Sequence, residues 1–221
     1  MADKNATPGK TLSLMERAYK ELEEMIVILQ LEPGAVLSEA ALAAQLGIGR
    51  TPIREALHRL AREGLVVILP RRGILVSDIN IHSQLKLLEV RREIERLMSR
   101  SAAARATDEE RKEFRDIATN LITAAENDDD VTFMRHDLRF NQLLSKACRN
   151  EYATNSMGLI AGLVRRFWFM HHKQIADMPV AAKRHADVAI AIAKGDGEAA
   201  AAASDRLVDY AESCTRAALD T

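Results

Sequence analysis

Apolar residues return every three or four positions at the start of the chain. Leu12, Met15, Tyr19, Leu22, Met25, Ile26 and Leu29 mark one face of a first helix, which Glu32-Pro33-Gly34 ends. A short second helix is predicted after Ser38 as its N-cap, with Ala41, Leu42 and Leu46 facing inward and Gly47 closing it. Thr51 and Pro52 open a third, since proline is tolerated in a first turn where its missing N–H has no intrahelical partner. Ile53, Ala56, Leu57 and Leu60 are its inner face. After Gly64 the pattern changes: LVVIL (65–69) and ILV (74–76) are short β-branched runs separated by Pro70-Arg71-Arg72-Gly73, a hairpin with a basic tip. Three helices followed by a hairpin, the middle pair of helices joined by a tight glycine turn, describe a winged helix-turn-helix.

Beyond Asp78 the strand signals vanish. A long helix running to about Arg105 is predicted, then one to about Glu126 opened by a capping box of Thr107 and Glu110. The acidic loop ENDDD (126–130) precedes four more helices, at 131–147, 152–174, 180–194 and 198–219, with Met178-Pro179 and Gly195-Asp196-Gly197 as breaks. The chain therefore reads as mostly α, with an N-terminal winged helix-turn-helix over residues 1–79 and an all-α bundle of about six helices over residues 80–221. The stretch AIAKGDGEAAAAASDRL belongs to that bundle as alanine-rich helix.

Composition agrees with packed helices. Of 221 residues 48% are hydrophobic but only 4% aromatic. No run of about 18 apolar residues exists, and MADKNATPGK lacks the apolar stretch of a signal peptide, so a cytoplasmic protein away from membranes is expected. Cys148 and Cys214 stand outside any metal-binding spacing and are expected as buried thiols.

The net charge of -1 argues against a general polyanion binder, yet the charge is not evenly spread. Between Arg50 and Arg72 six arginines face two glutamates. In a winged helix-turn-helix the start of the third helix enters the major groove, where an arginine fork can grip guanine or phosphate and the free N–H groups favour a phosphate. Arg50 and Arg54 share a face there, Thr51 can add a hydrogen bond, and Arg71 and Arg72 at the hairpin tip can reach backbone or minor groove. The competing reading is a solvated face in which these arginines balance Glu55 and Glu63.

The stretch LEPGAVLSEAALAAQLGIGRTPIREALHRLAREGLVVILPRRGILVSDI resembles the DNA-binding domain of GntR-type bacterial transcription regulators, through PG, L-S-E, R-T-P-x-R-E-A-L, E-G-L and R-R-G in that order. The resemblance implies DNA contacts by Arg50, Thr51, Arg54, Arg72 and Gly73. Two positions depart from the pattern: Gly49 stands where the family often has serine, and Ala40 where it often has arginine.

The second half resembles the ligand-sensing FCD domain of the FadR-like branch of that family. The marks are VRREIE (90–95), DLRFN (137–141), Asn150, Arg184-His185 and a Gly-Asp before the last helix. Many such domains hold a divalent metal with one aspartate and three histidines. Here Asp137 and His185 match, but Asn141 and Leu207 stand where two of the histidines would fall. With two strong ligands left the site looks incomplete: no cofactor is expected and tight metal binding is expected to be lost, with a divalent metal as the open alternative. His136, His171 and His172 are expected at the surface or an interface.

What the resemblance leaves is a polar cluster of Arg91, Asp137, Asn141 and His185 inside an apolar bundle. Such a cluster either satisfies itself or faces a small ligand, and an arginine there pairs with a carboxylate. The leading expectation is a homodimeric, DNA-binding repressor whose hold on a double-stranded operator is controlled by an organic-acid effector at these four residues. The alternative is a constitutive dimeric regulator with a purely structural C-terminal domain. Asp137 and His185 as an acid–base pair have no nucleophile, phosphate loop or complete metal site beside them, which speaks against an enzyme.

Overall fold

The computed structural model describes residues 12–71 and 73–219, and these fall into two compact units that divide between Asp78 and Ile79. In the first unit α1 spans Leu14–Val27, α2 Glu39–Leu46 and α3 Arg50–Arg62, with strands β1 at Val36–Leu37, β2 at Val66–Leu69 and β3 at Gly73–Val76. Ser13 caps α1 and Ser38 caps α2, each accepting a hydrogen bond from a backbone N–H of the first turn. Leu12 falls outside α1 and is exposed; Ala18, Tyr19, Leu22 and Ile26 form the buried stripe, packed on Ile53, Ala56, Leu57 and Leu60 of α3. On α2 only Leu42 is buried. Ala41, read from the sequence as an inner residue, lies on the exposed side.

The hairpin pairs β2 and β3 antiparallel from Val66 opposite Val76 to Leu69 opposite Gly73. β1, which the sequence pattern did not show, adds to the free edge of β3, so the order is β1-β3-β2. Glu63 is buried beneath this head. It accepts from the Tyr19 hydroxyl at 2.9 Å and pairs with Arg59, whose guanidinium lies 3.6 Å above the Tyr19 ring. That network ties α1 to α3.

The second unit consists of α4 (Ile81–Arg105), α5 (Asp108–Glu126), α6 (Asp130–Ala147), α7 (Glu151–Ile175), α8 (Met178–Lys194) and α9 (Gly197–Ala217). The Thr107–Glu110 capping box is formed as the sequence suggests. Met178 and Pro179 are not a break. Asp177 caps α8 through the Val180 N–H, and the proline sits in the first turn, where it costs no hydrogen bond. Gly195, at φ +77°, ends α8, and Asp196 caps α9 at once.

Small residues let these helices approach closely. Ala181, Ala182, Ala189 and Ile192 of α8 are fully buried, as are Ala200 and Val208 of α9 and Phe114 and Leu121 of α5. α5 lies against α8, and α4 against α9. Arg92, Arg96 and Arg100 repeat every four residues along α4 and reach Asp209, Asp205 and Glu198 of α9 at 2.7, 2.9 and 3.1 Å, a ladder along that seam. Arg111 donates to carbonyls of Ala103, Ala106 and Ile192, satisfying the ends of two helices. Both cysteines are buried free thiols.

Candidate functional site

In the first unit the start of α3 differs from every other helix start among the described residues. The other eight helices carry a capping Ser, Thr, Asp or Asn, whereas α3 is preceded by Gly49, which has no side chain to cap it. The first-turn N–H groups are thus left for an external acceptor, which suits an anion. Arg50 and Thr51 stand exposed beside them. Arg54 is one turn further along the same face, with 59% of its side chain exposed.

The geometry corrects one expectation about Arg54. It is not a free fork: its Nε and Nη2 donate to the Glu39 carboxylate of α2 at 3.1 and 2.8 Å. The Glu39 carboxyl is held below its ordinary range by that pairing. One edge of the guanidinium is therefore fixed to α2, and Nη1 makes no hydrogen bond to a described residue. The sequence signal was the glutamate of L-S-E, one residue after the cap of α2.

At the hairpin tip Arg71 is exposed with φ +62° and Gly73 follows at φ +102°. Gly73 is needed for its backbone conformation rather than for space, because the nearest atom to an added Cβ would be the Val36 side chain at 3.9 Å. Arg72, read as a wing contact, lies outside the described residues.

The second unit holds a cavity of about 440 Å³. Arg91, Asp137, Asn141 and His185 all line it, brought together from α4, α6 and α8. His185 Nε2 lies 2.9 Å from Asp137 Oδ1 and Nδ1 lies 2.8 Å from the Ala181 carbonyl. Burial alone would push the imidazole toward its neutral form; the Asp137 carboxylate outweighs it, and the pKa of His185 is raised. Burial likewise opposes the Asp137 charge, but His185, Arg91 and Arg165 hold its pKa below the ordinary value. Phe133 and Phe140 meet the His185 ring edge-on. Asn141 Nδ2 donates to the Asp137 carbonyl at 3.0 Å and to its carboxylate at 3.3 Å, leaving the amide oxygen as an acceptor.

Arg91 is only 11% exposed and donates from Nε to Glu95 at 2.8 Å. Its terminal nitrogens make no hydrogen bond to another described residue. Sequence reasoning missed Glu95, Arg165 and Trp168 as lining residues. A signal for the last two existed: Thr154, Met157, Gly158, Ala161, Arg165 and Trp168 follow helical spacing along α7, and this stripe forms one wall.

The donor set does not fit a transition metal. Asp137 and His185 are turned on each other, Asn141 offers an amide, and Leu207, buried in the wall where a third histidine is implied, has no donor at all. Among the described residues no three His, Cys, Asp or Glu side chains converge in a way that could hold a metal. The other histidines lie elsewhere. His171 packs on Phe167 with ring centroids 4.7 Å apart, and His172, expected at the surface or an interface, is buried near the end of α7 with Nδ1 3.2 Å from the Phe169 carbonyl. His136 is half-buried and does not line the cavity.

With this geometry in hand, the likenesses to known proteins fall into place unit by unit. Residues 14–76 match "Bacterial regulatory proteins, gntR family", and residues 86–210 match the FCD domain. The HTH-type transcriptional repressor RspR of Escherichia coli (strain K12) is 27% identical over 189 residues, which cover 86% of this chain and 83% of RspR. Among solved structures, E. coli McbR/YncC has the same fold with a TM-score of 0.78 at 19% identity, covering 95% of this chain and all of McbR. A GntR-type regulator from Rhodococcus sp. RHA1 follows at a TM-score of 0.71 and 21% identity, covering 94% of this chain and 99% of that one.

Proposed function

Because the chain belongs to the gntR family of bacterial regulatory proteins and carries an FCD domain, it is a transcription regulator and not an enzyme, and we propose that it is a homodimeric repressor released from its operator by an organic-acid effector. In this reading residues 1–79 form the DNA-binding domain and residues 80–221 the sensing and dimerisation domain. The protein works in the cytoplasm, and no helix among the described residues is long and apolar enough to cross a membrane.

Arg50, Thr51 and the uncapped start of α3 meet a phosphate and neighbouring base edges in the major groove. Arg54 presents Nη1 to a base while Glu39 keeps the guanidinium from swinging. Arg71, Arg72 and Gly73 bring the wing to the adjacent backbone. Repression, rather than activation, is supported by the likeness to RspR, a transcriptional repressor.

The observation that carries the effector reading is the Arg91 guanidinium, buried beside Asp137, Asn141 and His185 on the wall of the 440 Å³ cavity, with its terminal nitrogens unused by the described protein. Arg91 lies ten residues into α4, and at 1.5 Å per residue that is about 15 Å from the helix start at Ile81, where the chain passes to the DNA-binding unit. A ligand that fits one setting of α4 better than another shifts the spacing of two heads by no more than its difference in affinity for the two.

One observation favours the constitutive alternative: Asp137 and His185 already satisfy each other without a ligand. A single experiment separates the readings. Duplexes selected from random DNA by the intact chain are titrated with wild type and with Arg50→Ala, with and without a panel of carboxylates. Loss of affinity in Arg50→Ala and carboxylate-dependent release support the proposal. Unchanged affinity in Arg50→Ala removes the DNA-reading assignment, and release by no carboxylate leaves the constitutive regulator.

A further inference from the structure

We propose that the bundle cavity takes an organic monoanion with a bulky apolar body, gripped at its carboxylate by Arg91 and needing no metal ion; this rests on the reading of the cavity as an effector site. Charge comes first. The ionisable side chains of the wall are Arg91, Arg165 and His185 against Glu95 and Asp137. Within that set Asp137 is matched by His185 at 2.9 Å and Glu95 by Arg91 at 2.8 Å, so each acid of the wall already has a basic partner. The terminal nitrogens of Arg91 offer one carboxylate an anchor, and the further charges of a di- or tricarboxylate would lie against apolar wall.

The anchor comes next. Asp137 is occupied by His185 at 2.9 Å, and Glu95 takes only the Nε of Arg91 at 2.8 Å. The two terminal nitrogens of Arg91 remain as a parallel pair of donors, the geometry that a carboxylate matches with two hydrogen bonds. The Asn141 amide oxygen can accept from a hydroxyl or N–H on the same ligand, because its nitrogen is committed to Asp137.

The body is decided by the rest of the wall. Met98, Phe133, Met157, Trp168 and Leu207 supply apolar surface from four different helices. An apolar cavity of about 150 Å³ accommodates benzene, so 440 Å³ holds a chain or fused ring well beyond a two- or three-carbon hydroxy acid. Leu207, 5% exposed, puts a branched hydrocarbon where a chelating acid and its metal would need a donor. Methionine and tryptophan walls also adapt to the shape of what they cover.

The test uses the full chain, stripped with a chelator, in calorimetric titrations with butanoate, hexanoate, octanoate, octanamide, and citrate with and without zinc. Octanoate is expected to bind at one per chain, with affinity rising roughly fourfold per methylene from butanoate upward and no gain from zinc. Octanamide and the variant Arg91→Met are expected to bind at least tenfold more weakly. Met157→Trp, which leaves Arg91 intact and fills the cavity from α7, is expected to shorten the longest acid accepted. It keeps the test open should Arg91→Met fail to fold. Tightest binding by citrate, or a requirement for zinc, overturns this ligand class while the effector site itself stands. Octanamide binding as well as octanoate overturns the carboxylate anchor. No binding by any acid overturns both this inference and the effector reading beneath it.

Discussion

The head and the bundle both place arginines at their candidate sites, but they hold them by opposite means. In the head Arg50 and Arg54 stand in the open at the start of one helix, four residues apart, and the core beneath them is sealed by Leu57 and Leu60. In the bundle Arg91 is nearly buried, and its neighbours Asp137, Asn141 and His185 arrive from α6 and α8, 46 to 94 positions along the chain. The open surface depends on long-range charge and is screened by salt. The buried cluster depends on desolvation and on each charge having its partner. One protein thus carries two electrostatic devices that should respond differently to the same perturbation.

Salt gives the widest separation. With two heads contacting phosphates through Arg50, Arg54 and the wing as proposed, operator affinity should fall by about a thousandfold or more between 50 and 200 mM salt. Melting of the bundle should barely move over that range, because the Asp137–His185 pair is shielded from counterions. Parallel anisotropy titrations and thermal melts check this. Equal sensitivity of the two would erase the distinction.

Removing one member of the buried pair is the reverse perturbation. Asp137→Ala should destabilise the bundle by about 3–5 kcal/mol, the usual consequence of leaving a buried charge alone, seen as a lower denaturant midpoint. The selected DNA should still be bound at temperatures where the variant remains folded. Arg54→Ala should do the opposite, weakening operator binding by roughly 10- to 100-fold with little change in the melting curve. Relaxed discrimination at one base pair is the signature that separates base reading from a phosphate contact. Glu39→Gln should give a weaker form of the same relaxation by freeing the Arg54 side chain, with non-specific affinity unchanged or slightly higher.

The smallest predicted effect is on pH. His185 has its folded pKa raised above the ordinary 6.5, so its contribution to stability is complete below 6.5 and is lost as pH rises through the raised value. Asp137 has its folded pKa lowered below 3.8, so its contribution is present above 3.8 and is lost as pH falls through the lowered value. The pair stabilises across the interval between. A stability profile of His185→Gln should lack the alkaline decline of the wild type.

The same contrast explains how much could be read from the sequence. The head's elements and exposed arginines are local, so periodicity and a proline or glycine at the right offset were enough to place α1 to α3 and the hairpin. β1 escaped because two residues, Val36 and Leu37, are too few to show alternation. Ala41 was misplaced because an eight-residue helix packing through Leu42 alone has almost no periodic signal. The Arg54–Glu39 pair joins different helices, which periodicity does not register.

In the bundle the start of α5 was legible from its Thr107–Glu110 capping box and the gap between α8 and α9 from Gly195-Asp196-Gly197, whereas the caps Asn150 and Asp196 are seen only in the structure. Met178-Pro179 misled because a proline that ends one pattern also serves in the first turn of the next. Arg91, Asp137, Asn141 and His185 were found together through resemblance to a family, since no local rule joins positions so far apart. The apolar wall was legible only as a stripe on α7, and which helices face it is a tertiary fact.

The most direct test of the account is the affinity of the intact chain for its selected DNA duplex at one salt concentration, measured with and without a saturating carboxylate that calorimetry has shown to enter the bundle. The account predicts that the acid weakens DNA binding at least tenfold, and that Arg91→Met abolishes the weakening while keeping the ligand-free affinity. An unchanged affinity with the acid bound would contradict it, leaving a DNA-binding head whose bundle serves assembly alone.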